Sequence, residues 1–364
     1  MFTLCNEDGY ARTGSLFTAH DVVETPFFMP VATKGAAKHL SPIELKSAGS
    51  KALICNSFLL SLSPGVEIIE SSGGLHRFMG WQGVIFTDSG GFQMGDTIFS
   101  HKTTAEGAYF KSPYDGKFCL VTPETSVKTQ ESLGSDVMMC LDEMPSYGES
   151  AERVSIATRM THSYARKCLA AKSNSKQLLF GICQGGTFPK LREKSAAFIS
   201  KLDFDGISIG GLAVGEPRED MLSMLDVCKG ILPKDKPHYL MGVGSPSDML
   251  EAIERGIDMF DSAFPTQNAR HGTLFTSNGK IKITNTRFKL DSSPVDDDCD
   301  CYFCKTFSRS YLYHLFRNNE ALGLRLASLH NITFVNHLLE LTKTSIKEGN
   351  FISFKKTFLQ NYSI

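Results

Sequence analysis

The chain has 364 residues, 41% of them hydrophobic and 21% charged, with a formal net charge of −1: an ordinary globular composition, long enough to bury a large core. No run of eighteen apolar residues occurs, and the N-terminal MFTLCNEDGYARTG lacks the basic start and apolar stretch of a signal peptide. These features exclude a transmembrane helix and make a cytoplasmic location the expectation.

In chain order, MFTLCNEDGYARTGSLFT reads as a hairpin placed to cover a barrel floor. Eight short apolar runs follow, most ending in a polar or glycine-rich segment: FFMPVAT (27–33), ALICNSF (52–58), GVIFTDSGG (83–91), DVMMCLDE (136–143), LLFGICQGG (178–186), GISIGGLAVGE (206–216), YLMGVGSP (239–246) and DMFDSAFP (258–265). Each reads as a buried parallel strand. Amphipathic stretches lie between most of them, such as SPSDMLEAIERG, where Ser245 or Ser247 can cap a helix and Gly256 can close it. Strands alternating with helices in this number predict an α/β fold, a (β/α)8 TIM barrel, as one domain over 1–364. Residues 91–135 are too many for a single helix and contain AYFKSPYDGKFCLVTPE, read as a hairpin turning at Asp115-Gly116 over the barrel mouth.

Ten cysteines are present, and seven are scattered, several of them within apolar runs where a reduced thiol acts as a small hydrophobe. The other three form CDCYFC. Cys299, Cys301 and Cys304, with an imidazole downstream, suit a closed tetrahedral zinc site that is structural because no position remains for water. His330 is the expected fourth ligand; His314 and His337 compete for the place. The zinc-binding subdomain should span about 285–340, an insertion at the C-terminal side of the barrel.

Chemistry in such a barrel sits at the C-terminal ends of the strands, where Asp88, Asp142, Gln184, Gly211 and Asp261 all fall. TDSGGFQ sets Asp88 before a glycine turn that can approach a planar ligand, with Phe92 available to stack. Asp142 and Gln184 can accept from and donate to the edge of a purine-like base, and Gly211 offers backbone. Two acids with separate roles suit glycosidic chemistry, one attacking the anomeric carbon and the other handling protons. Residues 262–290 carry Arg270, Lys280, Lys282, Arg287 and Lys289 with no acid, a local charge cluster suited to a polyanion.

TDSGGFQ, VTPE, LDE, GICQGG, IGGLAVGE, LMGVGSP, GIDMFDS and PTQNARHG, followed by the Cys-x-Cys-x2-Cys cluster and its histidine, occur in order over nearly the whole chain. Together they resemble a bacterial-type queuine tRNA-ribosyltransferase, or tRNA-guanine transglycosylase. The resemblance implies a zinc-containing barrel, usually a homodimer, that exchanges the wobble guanine of Asp, Asn, His and Tyr tRNAs (GUN anticodons) for a 7-deazaguanine in queuosine biosynthesis. It gives Asp261 the role of nucleophile and Asp88 that of proton acceptor. Base contacts would come from Asp88, Ser89, Gly90, Gly91, Phe92, Asp142, Gln184, Gly211 and Met241, with Phe92 and Met241 on the two faces. Contacts to tRNA would come from Gly242, Val243, Gly244, Ser245, Pro246, Ser247 and Asp248, and from Thr266, Gln267, Asn268, Ala269 and Arg270.

Gln267 stands where the family usually has arginine, Met144 where bacterial members often have cysteine, and NSFLLSLSPG where Asn-Thr-Tyr-His-Leu is common. Val214 matches the bacterial pattern in which a valine limits room for queuine's ring, so 7-aminomethyl-7-deazaguanine is the expected incoming base and queuine the alternative. A metal-dependent barrel hydrolase would need histidine or carboxylate ligands at the strand ends, and no such cluster is seen. A non-catalytic tRNA-binding subunit of the family would be expected to lose the acids, whereas Asp88 and Asp261 are both present. An archaeosine-type enzyme would be expected to carry an added RNA-binding domain.

Overall fold

The computed structural model describes residues 1–89 and 102–362. Eight parallel strands form one sheet. In chain order they are β1 (Phe27–Pro30), β2 (Ala52–Asn56), β3 (Val84–Asp88), β4 (Val137–Met139), β5 (Leu178–Cys183), β6 (Gly206–Ile209), β7 (His238–Leu240) and β8 (Met259–Ser262). From β2 to β8 each strand pairs with the next in sequence, and β8 returns to β1 with Asp261 opposite Met29. The gap between β1 and β2 is bridged by Val31 and Ile54, with Ala32 N–H donating to Ile54 C=O at 2.7 Å. The eight expected strands are therefore all present, as a near-closed (β/α)8 barrel.

Side chains fill the barrel interior. Phe86 on β3 meets Phe27 on β1, Phe180 on β5 and Tyr239 on β7 at centroid distances of 6.2, 5.8 and 6.0 Å, contacts between non-adjacent strands that only the interior permits. The strands are buried on both faces, which is why they read as apolar runs without alternation.

At the N-terminal ends of the strands, the expected hairpin (Phe2–Asp8 with Ala11–Phe17) gains a third strand, Val22–Thr25, that leads into β1. Arg12 locks this sheet to the barrel floor by a two-pronged salt bridge to the buried Asp258, Nε to Oδ1 at 3.0 Å and Nη2 to Oδ2 at 2.6 Å. At the opposite end, the hairpin Ala108–Lys111 with Phe118–Val121 turns through Gly116, which needs its left-handed φ of 72°. Phe110 packs on Phe58 at a ring-centroid distance of 5.1 Å, tilted by 44°, and buries the excursion against the strand ends.

After β8 the chain builds a second hydrophobic cluster from Ala269, Leu274, Ile283, Phe288, Val295, Phe303, Leu312 and Leu315, closed by Leu326 and Ala327 of the long helix Ala321–Lys347. The helix joins this cluster to the barrel. Its Asn331 accepts from Phe275 N–H at 3.0 Å and donates to Pro265 C=O at 3.0 Å and Thr273 C=O at 3.1 Å.

Candidate active site and metal centre

Asp88 and Asp261 both sit at the C-terminal ends of their strands and are nearly buried, at 8% and 6% exposure. Asp261 is the better defined. Its Oδ1 accepts from Tyr239 O–H at 2.6 Å and from Gly242 N–H at 2.8 Å. Both bonds fall on one oxygen, so Oδ2 stays unbonded among the described residues. Burial raises the Asp261 pKa above its ordinary 3.8, and the Tyr239 and Gly242 bonds act against that rise. Tyr239 itself is pushed well up, first by burial and then by the Asp261 and Asp88 charges, so its hydroxyl stays protonated and donates. A carboxylate must be ionised to attack carbon, so an activity that uses Asp261 should show an acid limb above 3.8. Tyr239→Phe removes a bond that favours the ionised form. The limb should then move to higher pH in a kcat/KM profile; an unmoved limb would show that Tyr239 does not tune the acid.

Asp88 lies opposite Asn56 in the β2 and β3 pairing, and its backbone C=O accepts from Ser57 O–H at 2.6 Å. Asn56 Oδ1 caps the helix Ser57–Leu60 through Leu59 N–H at 2.8 Å, while its Nδ2 is buried without a partner among the described residues. An orphaned donor beside the acid suits a polar ligand group, and sequence reasoning passed over it. Ser89 is buried next to Asp88; Gly90, Gly91 and Phe92 lie outside the described residues.

On the adjoining strands, Gln184 Nε2 donates to Asp142 Oδ2 at 2.6 Å. Gly211 has φ 68°, and a Cβ there would collide with Gln184 Oε1, an oxygen that is buried and unpartnered among the described residues. Met144 lies 3.7 Å from the same Cβ position, so it lines this edge with them. Glu143 turns away and pairs with Arg153. The loop with Ala213 and Val214 is held by Glu216, whose carboxylate accepts both backbone N–H groups, Val214's at 2.9 Å. Met241 follows β7 and packs, partly buried, against the main core.

Of the residues expected to meet tRNA, Val243, Gly244, Pro246, Thr266 and Ala269 are buried, the last three within the helices Pro246–Ile253 and Phe264–Arg270. Gly242, Ser245, Ser247, Asp248, Gln267, Asn268 and Arg270 are at least partly exposed. Asp248 is engaged by Arg218 Nε at 2.6 Å, and Asn268 Nδ2 donates to Phe264 C=O at 2.9 Å. Arg270 Nη1 is buried without a partner among the described residues, and the guanidinium is near enough to His39 to lower that imidazole's pKa after burial. Lys280, Lys282, Arg287 and Lys289 are exposed, as expected of a polyanion contact. Lys280 Nζ also rests over Phe264, Phe275 and Tyr362 at 5.3, 5.9 and 6.0 Å.

The metal-ligand set converges on one point. Cys299, Cys301 and Cys304 Sγ lie 3.6, 3.7 and 3.3 Å from His330 Nδ1, and all four atoms fall within 4.8 Å of one another. A zinc tetrahedron with Zn–S ~2.3 Å and Zn–N ~2.0 Å has S···N edges of roughly 3.5 Å, so the cluster fits that ion. His330 Nε2 donates to Phe275 C=O at 2.7 Å, which turns the Nδ1 lone pair toward the thiols. His314 instead meets Asn318 on an exposed turn, and His330 is the histidine in the cluster.

The family model described as Queuine tRNA-ribosyltransferase matches residues 6–364. A protein named queuine tRNA-ribosyltransferase from Francisella tularensis subsp. novicida (strain U112) is 46% identical over 361 residues, covering 99% of this chain and 98% of the relative. The one from Francisella tularensis subsp. mediasiatica (strain FSC147) is 45% identical over the same coverage. With that match over nearly its whole length, and with a three-cysteine, one-histidine cluster in the same frame, the chain belongs to the queuine tRNA-ribosyltransferase family of pentosyltransferases.

Proposed function

We propose that this protein exchanges the wobble guanine of GUN-anticodon tRNAs for 7-aminomethyl-7-deazaguanine through a covalent enzyme–tRNA intermediate. The observation that carries this reading is the Asp261 carboxylate, buried at the mouth with one oxygen held by Tyr239 and Gly242 and the other unbonded. Asp261 attacks the anomeric carbon of the ribose, the glycosidic bond breaks, and its electron pair leaves with guanine. The incoming base gives its ring N–H proton to Asp88 and attacks the same carbon, and the Asp261 carboxylate leaves. Two inversions give retention. Asp142, Gln184 and the backbone at Gly211 hold the base edge, with Ser89, Gly90, Gly91, Phe92 and Met241 completing its pocket. The test is incorporation of labelled guanine into tRNA bearing a GUN anticodon, followed by competition between the two 7-deaza bases. Val214, three residues after Gly211, supports the aminomethyl base; preferential queuine incorporation overturns that choice.

The four clustered ligands would hold one structural zinc, which supplies folding energy to the module at about 285–340 and takes no part in bond breaking. The exposed aromatic side chains Tyr302 and Tyr311, with Leu290 at 89% exposure on the same module, support a homodimer contact there, checked by sedimentation.

Arg270, with the exposed Lys280, Lys282, Arg287 and Lys289, would bind phosphates near the anticodon. Changing Lys280 and Lys282 to Gln should raise the KM for tRNA and flatten the salt dependence of binding by roughly one unit per lost contact, with affinity for free base unchanged. An unchanged slope would make this a solvated face, with Lys280 serving its three rings.

A further inference from the structure

Arg192 is wholly buried in the helix Pro189–Ser200, yet no carboxylate lies within ion-pair distance of it among the described residues. A buried guanidinium without an acid is costly, and an apolar side chain of similar volume would fill the space more cheaply. Its donors go to main chain. Nη1 reaches Cys183 C=O and Gly210 C=O, each at 2.9 Å, and Nη2 reaches Gly186 C=O at 2.9 Å. Cys183 and Gly210 are the residues immediately before Gln184 and Gly211.

One turn further along the same face, Ser195 Oγ accepts from Gln184 N–H at 2.9 Å. That hydroxyl also lies 3.0 Å from His162 Nε2. With its oxygen accepting from Gln184 N–H, the Ser195 hydroxyl directs its own hydrogen to His162 Nε2, and burial followed by the Arg166 charge lowers the His162 pKa to about 4, favouring the neutral ring that can accept it. Gly185 lets the loop lie against the helix backbone, since a Cβ there would come within 2.6 Å of Arg192 N. The helix thus holds the ends of β5 and β6 by their peptide groups.

We propose that Arg192 and Ser195 are positioning residues for the incoming base: they fix the ends of β5 and β6 so that Gln184 and Gly211 present one rigid edge to it. The inference rests on the base-edge reading of Gln184 and Gly211 given above. Arg192 also polarises the Gly210–Gly211 peptide by holding its carbonyl, which strengthens the Gly211 N–H as a donor.

Guanine exchange is measured for the full chain with wild type, Arg192→Met, Arg192→Lys, Ser195→Ala and Gln184→Ala, varying base and tRNA separately. Arg192→Met should raise the KM for base roughly tenfold or more and leave the KM for tRNA within about twofold, and Arg192→Lys should recover part of the loss. Ser195→Ala leaves the buried charge in place and should raise the KM for base severalfold, which keeps the test open should Arg192→Met not fold. A merely structural role would lower the active fraction, and so the apparent kcat, at unchanged KM. That pattern, or a wild-type KM for base in folded Ser195→Ala, overturns the proposal. If Gln184→Ala keeps a wild-type KM for base, the base-edge reading itself has failed; if it raises KM while the Arg192 and Ser195 variants do not, only the positioning role has.

Discussion

Asp261→Asn should abolish exchange of labelled guanine into tRNA while tRNA binding largely survives. The amide keeps the volume of the side chain and can still accept from Tyr239 and Gly242 through its oxygen. It lacks the anionic oxygen that would bond to the anomeric carbon. Loss of a covalent step of this kind should cost roughly four to six decades of rate. Asp88→Asn should also be severely impaired, but at a different point. Guanine can still be displaced, whereas the incoming base has lost its proton acceptor, so the tRNA adduct should accumulate. Near wild-type exchange by Asp261→Asn would remove Asp261 from the mechanism.

Cys301→Ser should lose both the metal and thermal stability. Purified protein should hold about one zinc per chain, and the serine variant almost none, because a hydroxyl is a poor ligand beside two thiolates. Cys301 and His330 are buried in or against the second hydrophobic cluster, and Asn331, adjacent to His330, ties its helix to the short helix Phe264–Arg270 after β8. Free energy lost at the metal is therefore lost from the packing of the module against the segment that carries Arg270. At roughly 2 °C of melting temperature per kcal/mol for a large domain, losing several kcal/mol of zinc-linked stability should lower melting on the order of 10 °C. His330→Ala should behave the same way and His314→Ala should not, read by metal analysis and calorimetry together. Retained zinc in His330→Ala would displace it as fourth ligand.

The barrel was legible because strands buried on both faces carry continuous apolar runs, and the residues ending those runs fall at the mouth by construction. Asp88, Gln184, Gly211 and Asp261 could be placed that way without knowing a single contact. Tyr239 could not. In YLMGVGSP it reads as a core aromatic, and only its partner 22 residues on makes it part of the acid's environment. Arg192 and Asn56 were missed for the same reason: a buried polar side chain declares its purpose through partners distant in the chain. Arg12 is another such case, 246 residues from Asp258. The cysteine cluster was visible because its three thiols are close in sequence, whereas the choice among His314, His330 and His337 needed the long helix in place. The segments Gly242–Asp248 and Thr266–Arg270 follow the C-terminal ends of β7 and β8, and their half-buried helical turns give only some of their side chains to the surface, which linear spacing does not reveal.

The most direct test is to trap the enzyme–tRNA intermediate. Wild-type protein incubated with a GUN-anticodon tRNA and then denatured should yield a covalent adduct, reversed by adding free guanine, and proteolysis should place the attachment on the peptide containing Asp261. Asp261→Ala should give no adduct while still binding the tRNA. An adduct of wild-type yield in Asp261→Ala, or attachment at Asp88, would contradict the double displacement through Asp261.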